Sequence, residues 1–414
     1  MRKRWRIFAV LALMYLVAYF YRVSMAVVAK DLAAEFQLPA PRIGILSGAL
    51  FYAFALAQIP LGPLLDRFGG RRIVSLFGLL TVAGSFLFAL APGFLPLLAG
   101  RLLIGAGTAA VLMGALKVFT RWFSPREYAT VSGLIVAVGN LGNLTATAPL
   151  AWAVSLAGWR PPFVAVGAVQ LAVTLLVFAV VRDAPPSPSA AGAAGAAATP
   201  AAATPLADWG TVFRTPSFWL LALLAFFWYA GYMALQGLWG GPWLMEILGL
   251  SRTGAGRLLL LVSTGFITGC LGLGTVADRL FKSRKRTLLA GQGLLLGLLT
   301  LTLGPAERLS GPLLALLFFA FGLAVSSGVT IYPMVKEMFP PRISATASTA
   351  LNFFVLTGAA TVQQAMGLVI GRFPRGAAGY PAAAYHSAFL IPVCGLAMAW
   401  TLFLFVRDTT PGKH

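Results

Sequence analysis

Gly62-Pro63-Leu64-Leu65-Asp66-Arg67 closes one long apolar run of the chain, and 212 places further on Gly274-Thr275-Val276-Ala277-Asp278-Arg279 closes another, with basic residues following both. At an offset of 216, Phe123-Ser-Pro-Arg126-Glu-Tyr-Ala129-Thr130-Val-Ser132 lies over Phe339-Pro-Pro-Arg342-Ile-Ser-Ala345-Thr346-Ala-Ser348. Two matches at nearly one offset mark an internal duplication. The chain therefore reads as two copies of one unit, residues 1–183 and 216–414, joined by residues 184–215. The stretch APPSPSAAGAAGAAATPAAATPLA at 184–207 is rich in Ala, Pro and Gly, carries no charge and has no periodicity, which is the composition of a flexible linker.

Outward from these markers, each copy is filled by apolar runs long enough to cross a hydrocarbon core of roughly 30 Å as helices. Twelve are predicted, at about 7–30, 42–64, 73–91, 95–118, 128–153, 162–181, 217–243, 254–277, 287–304, 311–335, 345–370 and 386–406. The fold class is thus an all-α integral membrane protein of twelve transmembrane helices in two pseudo-symmetric six-helix bundles. Composition agrees: 59% of residues are hydrophobic and only 10% charged, at a mean hydropathy of +0.86, too few charges to cover a soluble protein of this length. Arg2, Lys3, Arg4 and Arg6 precede the first run as in a signal peptide, but the run is too long for one and no small-residue cleavage site follows, so it is expected to stay as the first helix. The net charge of +20 is not a nucleic-acid signature, because roughly two thirds of the Lys and Arg fall on one side of the predicted topology. That is the positive-inside bias, and it places both termini in the cytoplasm of a bacterial inner membrane. The two cysteines fall in predicted helices and the two histidines at a helix mouth and the C-terminus, so neither a disulfide framework nor a metal site is expected.

The run Gly62-Pro-Leu-Leu-Asp66-Arg67-Phe-Gly69-Gly-Arg71-Arg72 resembles the signature loop between helices two and three of the major facilitator superfamily, and Arg101-Leu-Leu-Ile-Gly105-Ala-Gly107 resembles its helix-four signature. The resemblance covers the chain apart from the linker and implies transport by rocking of the two halves. The loop is expected to gate this motion through Gly62, Asp66, Arg67, Gly69, Arg71 and Arg101. Asp66 would meet the positive end of helix eleven, or Arg121 or Arg126, when the cytoplasmic side is shut. By the repeat, Asp278, Arg279 and Arg342 are expected to serve the second half alike.

Substrate chemistry is sought where polar groups sit inside apolar helices. A charge at helix centre costs roughly 3 kcal/mol on insertion scales and usually faces a polar cavity. Arg22 is such a charge, provided the first helix runs past Lys30. Tyr15, Tyr19 and Arg22 fall at i, i+4 and i+7 on one face, an anion site in outline. The segment Ala18-Tyr-Phe-Tyr-Arg22-Val-Ser-Met is similar to the first helix of organophosphate and organic-anion porters of the superfamily, and the similarity implies that Arg22 binds a phosphate or carboxylate. Trp228, Tyr232, Gln236 and Trp239 form a stripe on helix seven that would face Arg22 across the pore, with Tyr229 beside it. Asn140, on one face with Asn143 and Thr147, and Asn352 and Gln363, with Gln364 adjacent, are the amides taken as further substrate contacts on helices five and eleven.

No acidic residue falls at a predicted helix centre, which weighs against coupling through a buried carboxylate and against a cationic-drug exporter. The leading expectation is a secondary active transporter of a small organic anion with no cofactor, working as a monomer in the bilayer with a proton or counter-anion as coupling ion. Nitrate or nitrite transport is the second anion reading, because Val138-Gly-Asn140-Leu-Gly142 is similar to part of that family's signature, although helix two lacks the matching Arg. A proton-coupled exporter and a transporter-like membrane receptor are the remaining alternatives. An enzyme is not expected, since no nucleophile–base set, phosphate loop or metal-ligand cluster is present.

Overall fold

A computed structural model describes residues 2–185, 205–275, 283–340, 343–377, 379–406 and 408. Twelve helices in it are long and apolar enough to cross a membrane: spans 1 to 12 are Lys3–Val23, Ala40–Phe68, Gly70–Ala89, Phe94–Trp122, Arg126–Ala157, Arg160–Val180, Pro216–Glu246, Arg252–Gly272, Arg284–Leu303, Gly311–Glu337, Thr346–Ile370 and Ala382–Phe403. Helices are the expected answer to lipid, where each backbone N–H and C=O must be satisfied within its own segment. Each predicted run corresponds to one span. Span 1 is followed at once by a second helix, Met25–Glu35, so the helical path does pass Lys30 and Arg22 is interior to it.

The spans are not uniform rods. Span 1 is interrupted at Ser24, span 4 at Ala109 and span 5 between Thr145 and Ala148. In span 7 residues Ala234–Trp239 wind as a π-helix, and in span 10 residues Ser327–Thr330 tighten to a 3₁₀ turn. Spans 1, 4, 7 and 10 occupy equivalent places in the two six-helix units, so these four breaks repeat with the duplication, whereas the break in span 5 has no counterpart in span 11. Interruptions of this kind concentrate at functional sites and hinges.

The halves are joined toward the end of the molecule away from the termini. There Arg252 at the start of span 8 pairs with Asp31 beyond span 1 at 2.5 Å, and the Tyr380 hydroxyl accepts the Ala40 N–H at 3.1 Å. Gly241 of span 7 lies against the Ala26 carbonyl so closely that any Cβ would collide with it. Spans 2 and 11 run side by side from this end, through Tyr52 hydrogen-bonded to Thr361 (3.1 Å) and Gln364 (3.4 Å), down to Asn352 donating to Gln58 at 2.8 Å. Toward the termini from that pair, no hydrogen bond or ion pair joins the halves among the described residues. The ion pairs there stay within one bundle: Arg4–Glu127 and Lys117–Asp66 in the first, Arg284–Glu337 in the second. Among the described residues, the hydrogen bonds and ion pairs that join the halves thus lie from the far end down to the Gln58–Asn352 pair.

The expected linker departs from expectation at one end. Residues 186–204 lie outside the described residues, but Pro205–Phe213 is a helix. Its Trp209 stacks on Phe213 at 5.6 Å, and Phe213 meets Phe218 and Trp219 at the start of span 7. Val212 of this helix is buried and Trp209 packs beside it, so the segment lies against the second bundle, which the Ala- and Pro-rich composition just upstream obscured.

Candidate functional site

Arg22 sits where the links between the halves end. It is 7% exposed, its guanidinium lies over the ring of Tyr19 at 4.2 Å and that of Phe54, in span 2, at 4.8 Å, and its Nε has no hydrogen-bond partner. No carboxylate pairs with it among the described residues. Phenols border it: Tyr19 lies under the guanidinium with Tyr15 hydrogen-bonded to it, Tyr229 of span 7 is its neighbour from the second bundle, and the Tyr232 ring packs 5.8 Å from that of Tyr229. Tyr15 donates to the Tyr19 oxygen at 3.2 Å. The helix can bring these rings together because span 5 offers no side chain in the way. A Cβ on Gly139 would fall 2.5 Å from the Tyr15 ring, and one on Gly142 would strike the Leu16 carbonyl.

Two further polar links border these phenols. Asn143 of span 5 donates to the Tyr232 hydroxyl at 3.4 Å, crossing between bundles and leaving its own Oδ1 unpaired. The Tyr332 hydroxyl donates to Asn352 Oδ1 at 2.9 Å, and Asn352 passes the chain on to Gln58. Cation–π contacts at a desolvated site hold a guanidinium by about 2 kcal/mol or more each. They consume none of its N–H donors, and Nε in particular is left for a hydrogen bond to an anion.

Other residues expected at the site point elsewhere. Trp228 is buried inside the second bundle, wedged against Gly328 and donating to the Val325 carbonyl at 2.8 Å; its neighbour Tyr229 is the one that turns toward Arg22. Gln236 donates to Ser263 at 2.9 Å and Gln363 to the Met233 carbonyl at 2.7 Å, both fully buried between helices of one bundle. Trp239 donates to the Gln363 carbonyl at 2.9 Å. Asn140 bonds back to the Val136 carbonyl of its own helix at 2.9 Å. Helical spacing identified the stripe on span 7, with Tyr229 beside it, but not its rotation, and Tyr332 was visible only as a phenol inside an apolar run.

The expected gating residues also resolve. Asp66 is mostly exposed and pairs with Lys117 at 2.5 Å, one turn before Arg121; Arg121 and Arg126 are exposed without meeting it. Gly69 adopts a φ of +81° and lets the chain turn against Asp183, whose carboxylate accepts the Arg71 backbone N–H at 2.9 Å. The Arg71 side chain donates to the Phe178 carbonyl at 2.8 Å, Arg67 lies over Phe68, and Gly62 faces open space. Arg101 is fully buried, and its three nitrogens donate to the carbonyls of Leu46 (3.0 Å), Tyr21 (2.9 Å) and Ser47 (3.4 Å). It therefore staples span 4 to spans 1 and 2, and gating through it would break three buried bonds. Asp278, Arg279 and Arg342 lie outside the described residues.

Comparison with known proteins adds to this geometry. A probable sulfoacetate transporter, SauU, of Cupriavidus necator is 28% identical over 294 residues, 68% of this chain and 66% of that protein; the chain thus spans just under two thirds of that relative. An MFS-type efflux pump of Mycolicibacterium smegmatis is 28% identical over 375 residues, covering 85% and 81%. Among solved structures, a bacterial homologue of the human lysosomal transporter Spinster superposes with a TM-score of 0.76 at 20% identity over 98% and 97% of the two chains, a likeness of fold. The family model described as Major Facilitator Superfamily matches residues 11–363. Twelve spans, the repeated breaks and this match agree: the chain belongs to the Major Facilitator Superfamily.

Proposed function

We propose that the chain carries a small organic anion, a carboxylate, sulfonate or phosphate ester, across the membrane by alternating access, with Arg22 as the anion contact. The observation that carries this reading is Arg22 itself: a buried guanidinium between the bundles with an unpaired Nε, aromatic neighbours and no protein carboxylate. A lone buried charge is strongly unfavourable unless something neutralises it, and an anionic cargo supplies the missing partner. Tyr15 and Tyr19 from the first bundle and Tyr229, Tyr232 and Tyr332 from the second supply hydroxyls on both sides, so that a bound anion is gripped by the two parts that rock. The sulfoacetate relative supports the same substrate chemistry. By the positive-inside bias the end that carries the termini is cytoplasmic, and the links between the halves at the far end then belong to the outer side.

Counterflow in proteoliposomes preloaded with single candidates (short carboxylates, sulfonates, phosphate esters, nitrate, cationic drugs) tests this. Exchange is expected for an organic anion, and it should vanish in Arg22→Ala while the variant still folds. Exchange of cations, or anion exchange indifferent to Arg22, would overturn the assignment and favour the export chemistry named for the mycobacterial relative.

A further inference from the structure

The groups around Arg22 also bear on how much charge the cargo can carry. On its own helix the neighbours are Tyr15 and Tyr19. Span 2 contributes Phe54 and, on the cross-bundle link, Gln58. Span 5 gives Asn143, span 7 Tyr229 and Tyr232, span 10 Tyr332 and span 11 Asn352. Span 8 adds the Cys270 thiol near Tyr232. Hydroxyls, amides, rings and one thiol make up this set, and among the described residues Arg22 is its single cation. The other buried arginine of the bundle, Arg101, has its guanidinium fully committed to three backbone carbonyls and no exposed surface to offer. Arg257 is exposed on span 8, and Lys117 and Arg121 lie at the termini end of span 4.

From this charge count we infer that the site is built for one negative charge: the preferred cargo is a monoanion, and a dianion is accepted only after it takes up a proton. The inference rests on the anion reading above and adds the valence. When the halves close over the cargo, a monoanion and Arg22 form a neutral, hydrogen-bonded pair. A second ionised group would then be buried facing phenols and amides, with no cation to offset its desolvation. Protonation at one carboxyl restores neutrality, which makes dianion binding depend on pH through the ligand and not through a protein group.

The test uses the purified full chain and calorimetric titration of matched probes, succinate with monomethyl succinate and adipate with monomethyl adipate, at pH 7.5 and pH 5. Each monoester is expected to bind at least about tenfold more tightly than its dianionic parent at pH 7.5. The gap should narrow at pH 5, where the second carboxyl is close to its ordinary pKa of about 4 to 5. Both ligands should lose affinity in Arg22→Gln, with Arg22→Lys as the companion variant if the first is poorly folded. Equal or tighter binding of the dianions at pH 7.5, still dependent on Arg22, would overturn the valence inference and leave the anion reading in place. Binding by neither class, or binding indifferent to Arg22, would overturn both.

Discussion

Two arginines are buried in the first bundle without a carboxylate, and they do opposite things. Arg101 has each guanidinium nitrogen on a backbone carbonyl, while Arg22 rests on two aromatic faces with Nε unpaired. They are also connected: one of the carbonyls held by Arg101 belongs to Tyr21, the residue before Arg22, and the Tyr21 hydroxyl donates to Ser85 at 3.0 Å. The staple therefore fixes the place from which the free guanidinium reaches out. A buried cation saturated by carbonyls is structure, and one left unsaturated between two moving parts is a place for a ligand. The same residue type at a similar depth does not carry the same role.

The largest expected effect separates the pair directly. Arg22→Ala should weaken anion binding by about 100-fold or more, since charge-assisted hydrogen bonds contribute about 1.5–3 kcal/mol each, while the empty protein keeps or gains thermal stability. Arg101→Ala should show the reverse, a loss of about 2–3 kcal/mol in stability from three lost bonds and a cavity, seen as a lower melting temperature, with binding in the folded fraction reduced far less. Equal effects of the two variants on both readouts would erase the distinction.

The links between the halves at the far end are probed most simply at the Asp31–Arg252 pair. Partly exposed ion pairs contribute at most about 1 kcal/mol, so Asp31→Asn should shift the conformational balance only a few-fold toward the opposite opening. Spin-label distances across the far end would read the shift, and the charge-swapped double variant D31R/R252D should reverse it. Around the site, Tyr229→Phe should weaken anion binding about five-fold, as expected for one hydrogen bond of about 1 kcal/mol. Trp228→Phe should lower stability and leave affinity unchanged.

The smallest effect is a pH dependence at the far end. Burial works to raise the Glu35 carboxyl, but hydrogen bonds from Trp159 and Arg160, with the Arg160 charge, outweigh it and hold the group below its ordinary value of 4.5. A carboxyl depressed in the folded state stabilises above its unfolded pKa, and that contribution fades as pH falls through the folded one. Melting temperature should therefore decline below about pH 4.5 less steeply in Glu35→Gln than in the wild type.

Much of this was legible in the amino-acid sequence. Apolar length gave the twelve helices, the duplicated Gly-x-x-x-Asp-Arg motif gave the two bundles, and the cost of a charge in lipid singled out Arg22. Three things escaped for physical reasons. Spacing on span 7 defines a face but not its rotation, so Trp228 was expected to face Arg22, whereas it donates to the Val325 carbonyl within its own bundle. Amides such as Gln236 and Gln363 read alike whether they meet a ligand or a neighbouring helix, and burial between helices of one bundle decided it. Asp66 had several basic residues within a turn of one another to choose from, and only the three-dimensional path of span 4 selects Lys117.

The most direct test of the central claim is a structure of the chain with bound organic anion, chosen by the counterflow panel. The account predicts the anionic head within about 3 Å of the Arg22 guanidinium, with Tyr229 or Tyr332 closing on it from the second bundle. An anion held at another cation, with Arg22 still packed on Tyr19 and Phe54 and touching no ligand, would contradict it.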